Sequence, residues 1–297
     1  MRHLLGIAGW RRDELEALLD RAQAHLPGGP DASHVLRGRV VANLFFEDST
    51  RTRSSFEVAA RKLGADVLNW SHAGSSVSKG ETLLDTARNI EAMGPSVIVI
   101  RHRSSGAPHL VARHVKCAVV NAGDGAHEHP SQALLDAFTL RQRWGRLDGR
   151  TVLIVGDVLH SRVARSNLVC LKALGARVVL CGPPTLLPPG LEEMGGEVTH
   201  QLDAVLPQAD AVMCLRLQTE RMSEAFLPSQ REYSRLFGLT PARAERMKPD
   251  APVLHPGPIN RGVELSPAVA DGPRSVILEQ VANGVAVRRA ILEACAS

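Results

Sequence analysis

Residues 45–57 read Phe45-Phe46-Glu47-Asp48-Ser49-Thr50-Arg51-Thr52-Arg53-Ser54-Ser55-Phe56-Glu57. The apolar run Val40 to Phe46 ends here, and a helical pattern begins at Arg51 and continues to Leu63. A short apolar run bounded by polar residues is a buried strand, so this stretch is a strand-to-helix junction. Three hydroxyls and two guanidiniums fall within five positions. The first-turn amides of a helix lack backbone partners, and the helix dipole favours an anion there. Arginine and hydroxyl donors suit phosphate oxygens. A single hydroxyl would only cap the helix. The set Ser49, Thr50, Arg51 and Thr52 points to phosphate binding.

The same alternation extends in both directions. Arg12 to His25, Gly80 to Met93 and Ser131 to Trp144 carry helical spacing. Ala65 to Trp70, Val97 to Ile100 and Cys117 to Asn121 read as strands. Gly145 to Arg150 is turn-like, and a second series follows. It comprises strands at Thr151 to Val155, Arg177 to Cys181 and Ala211 to Leu215, and helices at Val163 to Leu174 and near Leu202 to Leu206. Gln218 to Pro249 is a long polar stretch of the kind that forms a mobile functional loop with short helices. Ser275 to Ala296 closes the chain as a helix. This order predicts an α/β protein of two domains, each with a mainly parallel sheet flanked by helices. The boundaries are 1–145 and 146–274, with helix 275–297 packing back on the first domain.

Bulk properties narrow the function. The 297 residues are 44% hydrophobic and 22% charged, and the net charge is +4. That charge is mild and is not gathered in a tail. Aromatic residues make up only 3%, too few for base stacking beside arginines. A small anionic substrate fits better than nucleic acid. The five cysteines form no CxxC pair, as expected of free buried thiols in a reducing cytosol. The run Leu4 to Trp10 is too short for a signal peptide, and no run approaches a membrane span. We therefore expect a soluble, cytoplasmic protein.

In open α/β sheets, ligands bind beyond the carboxyl ends of the strands. Polar clusters in those positions are the candidates. Arg101-His102-Arg103 follows one strand. Asn121 to Gln132 follows the next and contains His127 and His129. The HxH spacing has no other ligands nearby in sequence, so no metal site is expected. His129, before Pro130, is a single donor at a helix start. Gly156 follows a strand, but GxGxxG is absent, which removes a dinucleotide. Arg162 stands in that strand-to-helix loop and suits a carboxylate. Arg216, with Gln218 two positions on, gives the same signal. His255-Pro256-Gly257-Pro258 is a rigid loop whose carbonyls could face an amine. Ser75, Ser76, Ser78 and Lys79 form a polar loop before a helix.

Taken in order, Ser49-Thr50-Arg51-Thr52-Arg53, Lys79-Gly80-Glu81-Thr82, Arg101-His102, His129-Pro130-Ser131-Gln132, Arg216-Leu217-Gln218 and His255-Pro256-Gly257-Pro258 carry a resemblance. Over nearly its full length the chain resembles the aspartate/ornithine carbamoyltransferase family. The resemblance implies an active site in the cleft between two domains and no cofactor. It implies attack of the α-amine of L-aspartate on carbamoyl phosphate, giving N-carbamoyl-L-aspartate and phosphate in pyrimidine synthesis. Carried onto matching positions, Ser49, Thr50, Arg51 and Thr52 hold phosphate, and Arg101 bridges phosphate and carbonyl oxygen. Thr52, Arg101 and His129 stabilise the charge growing on that oxygen, and Gln132 holds the carbamoyl amide. Arg162, Arg216 and Gln218 grip the aspartate carboxylates, and carbonyls near Pro256 and Gly257 orient amino groups. Ser75 and Lys79 reach into a neighbouring subunit's site, which implies a homotrimer with shared sites. Relatives also assemble with regulatory chains or with dihydroorotase.

Some relatives carry a lysine pair before the Gly80-Glu81-Thr82 motif and a leucine at the Gly257 position. Ornithine enzymes usually place a cysteine in the loop that reads His255-Pro256-Gly257-Pro258 here, and two arginines with a glutamine suit a dicarboxylate better than a cationic side chain. The alternatives are another amine acceptor, a catalytically silent assembly subunit, and a two-domain anion-binding protein. The silent subunit would be expected to lack Arg51, Lys79, Arg101 or His129, and all four are present.

Overall fold

The structure is a computed structural model and describes residues 3–71, 80–218 and 229–296. In chain order the first elements are α1 (Arg12–Ala24), β1 (Val40–Phe45), α2 (Thr50–Lys62), β2 (Asp66–Ser71) and α3 (Leu83–Glu91). They continue with β3 (Val97–His102), α4 (Ala107–Ala112), β4 (Ala118–Asp124) and α5 (Pro130–Trp144). Next come β5 (Thr151–Val155), α6 (Arg162–Ala173), β6 (Arg177–Cys181), β7 (Glu197–Thr199), α7 (Leu202–Val205) and β8 (Ala211–Cys214). The chain ends with α8 (Gln230–Phe237), α9 (Pro241–Ala244), β9 (Val253–Leu254), α10 (Pro267–Ala270) and α11 (Ile277–Ala296).

Among the described residues, β1–β4 form a parallel sheet of order β2-β1-β3-β4, and β5–β9 form a parallel sheet of order β7-β6-β5-β8-β9. Strands β4 and β5 are buried along their whole length; β5 reads as a continuous apolar run, while β4 also buries Asn121 and Asp124 at its carboxyl end. Helix α7 stands where a short helix near Leu202 is expected, whereas the four-residue α9, the six-residue α4 and the three-residue β7 are too short for periodicity to mark firmly.

The chain divides into two compact units, Met1–Phe138 with Val281–Ser297, and Thr139–Gln280. Both divisions fall within helices, α5 and α11. Local packing joins the start of α11 to the second unit. Ile277 packs on the core that contains Leu153, Val212 and Val253, and Gln280 Oε1 accepts from His255 N at 3.0 Å.

In the first unit, Ala42, Leu44, Ile98, Ile100 and Val119 share a core with Ala87 and Ile90 of α3. Helix α2 buries Thr52, Phe56, Ala59 and Ala60, one stripe at helical spacing, and leaves Arg51 and Arg53 exposed. Helix α3 begins at Leu83, three residues beyond the expected Gly80, because Thr82 caps it and accepts from Asp85 N. Of the polar stretch 218–249, Gln230–Phe237 forms α8 by burying Tyr233 and Phe237 four residues apart. Residues 219–228 lie outside the described residues. Among the described residues no helix is long and apolar enough to cross a membrane.

Candidate active site

In a parallel sheet every strand delivers its following loop to the same edge. The first unit's chain runs from β1 outward to β2, then back across to β3. That reversal makes a topological switch point between β1 and β3. Ser49–Thr52 follow β1, and Arg101 is the penultimate residue of β3. In the second unit β5 is flanked by β6 and β8, which makes the same reversal. Arg162 follows β5, while Arg216 and Gln218 follow β8. These clusters therefore stand at the switch point of each sheet, while His129–Gln132 and His255–Pro258 follow the edge strands β4 and β9.

At the α2 start, Ser49 is the N-cap by backbone geometry, yet its side chain makes no capping bond, and the first turn holds no acidic residue. Thr82, Ser161, Ser229 and Thr240 do accept from first-turn amides of their own helices. Helix capping thus does not account for the hydroxyls of Ser49–Thr52. Their placement matches an anion site.

Arg101 stands opposite an irregularity. Ile100 pairs with Asn121 and His102 pairs with Asp124, so Ala122 and Gly123 both oppose Arg101. Such a bulge re-aims the facing side chain. Arg101 Nη1 lies 3.4 Å from Ala122 O, and Nε lies 3.2 Å from Glu47 Oε2. Glu47 belongs to the opening stretch, and nothing in its local pattern singled it out. His102 accepts from Ser104 N at 2.9 Å, and burial lowers its pKa.

His129 is buried immediately before α5, with Nδ1 3.5 Å from Ser131 Oγ. Gln132 is buried and donates from Nε2 to Asp136 Oδ1 at 2.9 Å. That leaves the Gln132 carbonyl oxygen as the acceptor this side chain can offer a ligand amide. His127 does not join His129. It is exposed and turns to Asp124, 3.0 Å from Oδ2.

In the second unit, Arg162 opens α6 and is buried. Asp157 organises the loop after β5: it accepts from His160 N and Nδ1 through one oxygen and from Gln218 N at 3.2 Å through the other. Gln218 Nε2 also donates to His160 O at 3.0 Å, joining the loops after β5 and β8. Gly156 is required by space. Its φ is +128°, and a Cβ would stand 2.9 Å from Tyr233 Oη.

Gly257 N donates to His255 Nδ1 at 2.8 Å, so Nε2 carries the ring proton toward Glu264 Oε1 at 3.2 Å. Asn260 donates to Glu264 from its backbone and to Leu217 O from its side chain. The Pro256-Gly257 loop is thereby fixed to the loop after β8. Ser75 and Lys79 lie outside the described residues.

Two family models match the chain. Residues 2–142 match the aspartate/ornithine carbamoyltransferase carbamoyl-P binding domain, and residues 148–295 match the Asp/Orn binding domain of the same family. The chain belongs to the aspartate/ornithine carbamoyltransferase family.

Within that family, the aspartate carbamoyltransferase catalytic subunit of Myxococcus xanthus (strain DK1622) is 83% identical over 295 residues, covering 99% of both chains. The aspartate carbamoyltransferase catalytic subunit of Anaeromyxobacter sp. (strain Fw109-5) is 58% identical, covering 98% of this chain and 93% of its own. Aspartate transcarbamoylase from Trypanosoma cruzi, solved with carbamoyl aspartate and phosphate, superposes with a TM-score of 0.90 at 33% identity. That match covers 98% of this chain and 95% of the other. Ornithine carbamoyltransferase from Thermus thermophilus gives 0.88 at 29% identity over 99% of each chain. The carbamoyltransferase fold is thus common to both acceptor classes, and the acceptor has to be decided by side chains.

The sequence pattern found the strand-end arginines, hydroxyls and histidine. It did not find Glu47, Asp136, Asp157 or Glu264, which touch those residues or their loops. Asp136 stands four residues beyond Gln132 on the same helix, a spacing that could have found it. Glu47, Asp157 and Glu264 carry no such signal, because the contacts that reveal them cross loops or strands.

Proposed function

We propose that this chain carries out carbamoyl transfer from carbamoyl phosphate to the α-amine of L-aspartate, releasing N-carbamoyl-L-aspartate and phosphate. This is a step of pyrimidine biosynthesis in the cytoplasm. The amine lone pair attacks the carbonyl carbon and a C–N bond forms. Negative charge gathers on the carbonyl oxygen, the C–O bond to phosphate breaks, and the amine gives up a proton. Ser49, Thr50 and Arg51 hold the phosphate. Thr52, Arg101 and His129 donate to the oxygen as its charge grows, and Gln132 accepts from the carbamoyl amide. Positioning and electrostatic stabilisation suffice for such a reaction.

The observation that carries the proposal is the 83% identity, over essentially the whole chain, to an aspartate carbamoyltransferase catalytic subunit. The acceptor assignment draws independent support from Arg162, Arg216 and Gln218 at the second switch point. Two guanidiniums with an amide match two carboxylates. Ser75 and Lys79 complete a neighbour's site within a homotrimer.

The test is a carbamoylation assay with aspartate and ornithine side by side. Product from aspartate alone is expected. Product from ornithine alone overturns the acceptor assignment, and product from neither overturns the reaction.

A further inference from the structure

His109, Asp124 and His127 bring three ligand groups together, none of them among the residues assigned above. His109 lies on α4, Asp124 ends β4, and His127 stands in the turn before α5. One ligand atom from each lies within 4.8 Å of the other two. The imidazole rings meet at 60° with centroids 5.7 Å apart, edge toward face, so neither is stacked flat on the other. His127 Nδ1 and Asp124 Oδ2 are 3.0 Å apart. Two ligands on a tetrahedral zinc ion, each bonded at about 2.0–2.1 Å, stand about 3.3 Å from one another. This pair already spans close to one edge of such a polyhedron. His109 supplies the third nitrogen, within 4.8 Å of both.

Two independent features point the same way. His109 Nδ1 is buried and has no hydrogen-bond partner. Buried polar nitrogens nearly always have one, and a metal ion would take its lone pair. The Asp124 carboxylate is oriented in advance by Gly106 N at 2.7 Å, Asn121 Nδ2 at 2.9 Å and Glu128 N at 3.1 Å. Outer contacts of this kind aim ligating carboxylates. Asp124 is fully buried, whereas the His127 side chain is 43% exposed. An ion would therefore have an entry from solvent. The Glu128 carboxylate is turned away, accepting from Ile7 N at 2.8 Å.

We propose that His109, Asp124 and His127 form a binding site for a zinc-class divalent cation. Two imidazoles and one carboxylate select borderline ions over the all-oxygen preference of calcium and magnesium. The ion replaces the proton between His127 and Asp124. It ties α4 to the turn that leads into His129, and so bears on the loop preceding α5 rather than on the reaction itself.

The test uses the full chain, freed of metal by chelator and dialysis, then titrated with Zn²⁺ by calorimetry. Uptake of one ion per chain and a raised Tm are expected. His109→Ala and His127→Asn should each weaken that uptake at least tenfold. His114→Ala, whose ring nitrogen bonds to Leu110 O, should leave it intact. No uptake by the parent chain, or equal uptake by the His109 and His127 variants, overturns the proposal. His127→Asn changes an exposed side chain, so it decides the matter if His109→Ala does not fold.

Discussion

Gln132 Nε2 donates a 2.9 Å hydrogen bond to Asp136 Oδ1, one turn further along α5. Asp136 also draws on the charge of Arg288 from α11. Burial pushes that guanidinium down to about 10, and it lies 5.1 Å over the Phe56 ring. Asp136 thus links a buried cation to the side chain proposed to hold the carbamoyl amide. Asp136→Asn leaves Arg288 without its opposing charge. Breaking a buried pair on one side costs about 3–5 kcal/mol, to be read from denaturant unfolding. Adding Arg288→Met should recover part of that loss. An Asn variant as stable as the parent would remove the coupling.

Arg51 is exposed on α2, so its removal should leave the fold intact. Removing a charge-assisted hydrogen bond to phosphate costs roughly 1.5–3 kcal/mol, more when bidentate. Arg51→Ala should therefore lower kcat/KM for carbamoyl phosphate by about 10- to 100-fold or more, with unchanged Tm. Steady-state kinetics near those of the parent would sink the phosphate assignment.

Arg216 follows β8 and is half-buried, beside the loop that Gln218 joins to His160 O. Arg216→Ala should raise KM for aspartate at least about tenfold while KM for carbamoyl phosphate moves far less. Equal effects on both substrates would place Arg216 outside the acceptor site.

His25 and His102 are both shifted down by burial, although Glu293, 2.7 Å from His25 Nε2, opposes the shift. The unfolded chain then binds protons more readily than the folded chain. Stability is present above the unfolded pKa of about 6.5 and is lost as pH falls toward the lower folded values. Denaturant midpoints between pH 8 and 5 should decline below about pH 6.5, and His25→Gln should flatten the decline. A profile level across that window would count against both shifts.

Lys79 and Arg51 are proposed to serve one site from two subunits. Mixing inactive Lys79→Ala and Arg51→Ala chains should restore activity in hybrids, because some sites then carry both native residues. Hybrids shown to form by native electrophoresis, yet fully inactive, would argue against sharing.

The burial of cysteine was legible only in outline. Cys181 and Cys214 stand in apolar runs and are buried as those runs suggest. Burial raises the thiol pKa of Cys181 and Cys295 to about 12. Cys117 is half-exposed, yet it too is raised to about 11, by burial and by the nearby Glu91. The neighbour that acts on it lies in α3, and no local pattern connects the two.

The chain's own pattern carries the alternation of strands and helices, the strand-to-helix junction at Phe45–Glu57, and the place of Arg101, Arg162 and Arg216 at or beyond the carboxyl ends of strands. Each of these is written in local periodicity or in the order of residues along one loop. The contact of Glu47 with Arg101, and the bulge at Ala122–Gly123 that faces it, come only with the folded sheet. Tertiary structure also turned His127 toward Asp124 and His109, rather than toward His129 two residues away. These relationships depend on sheet order, register and side-chain direction. Those are set by burying apolar faces from distant parts of the chain, which spacing within one segment does not encode.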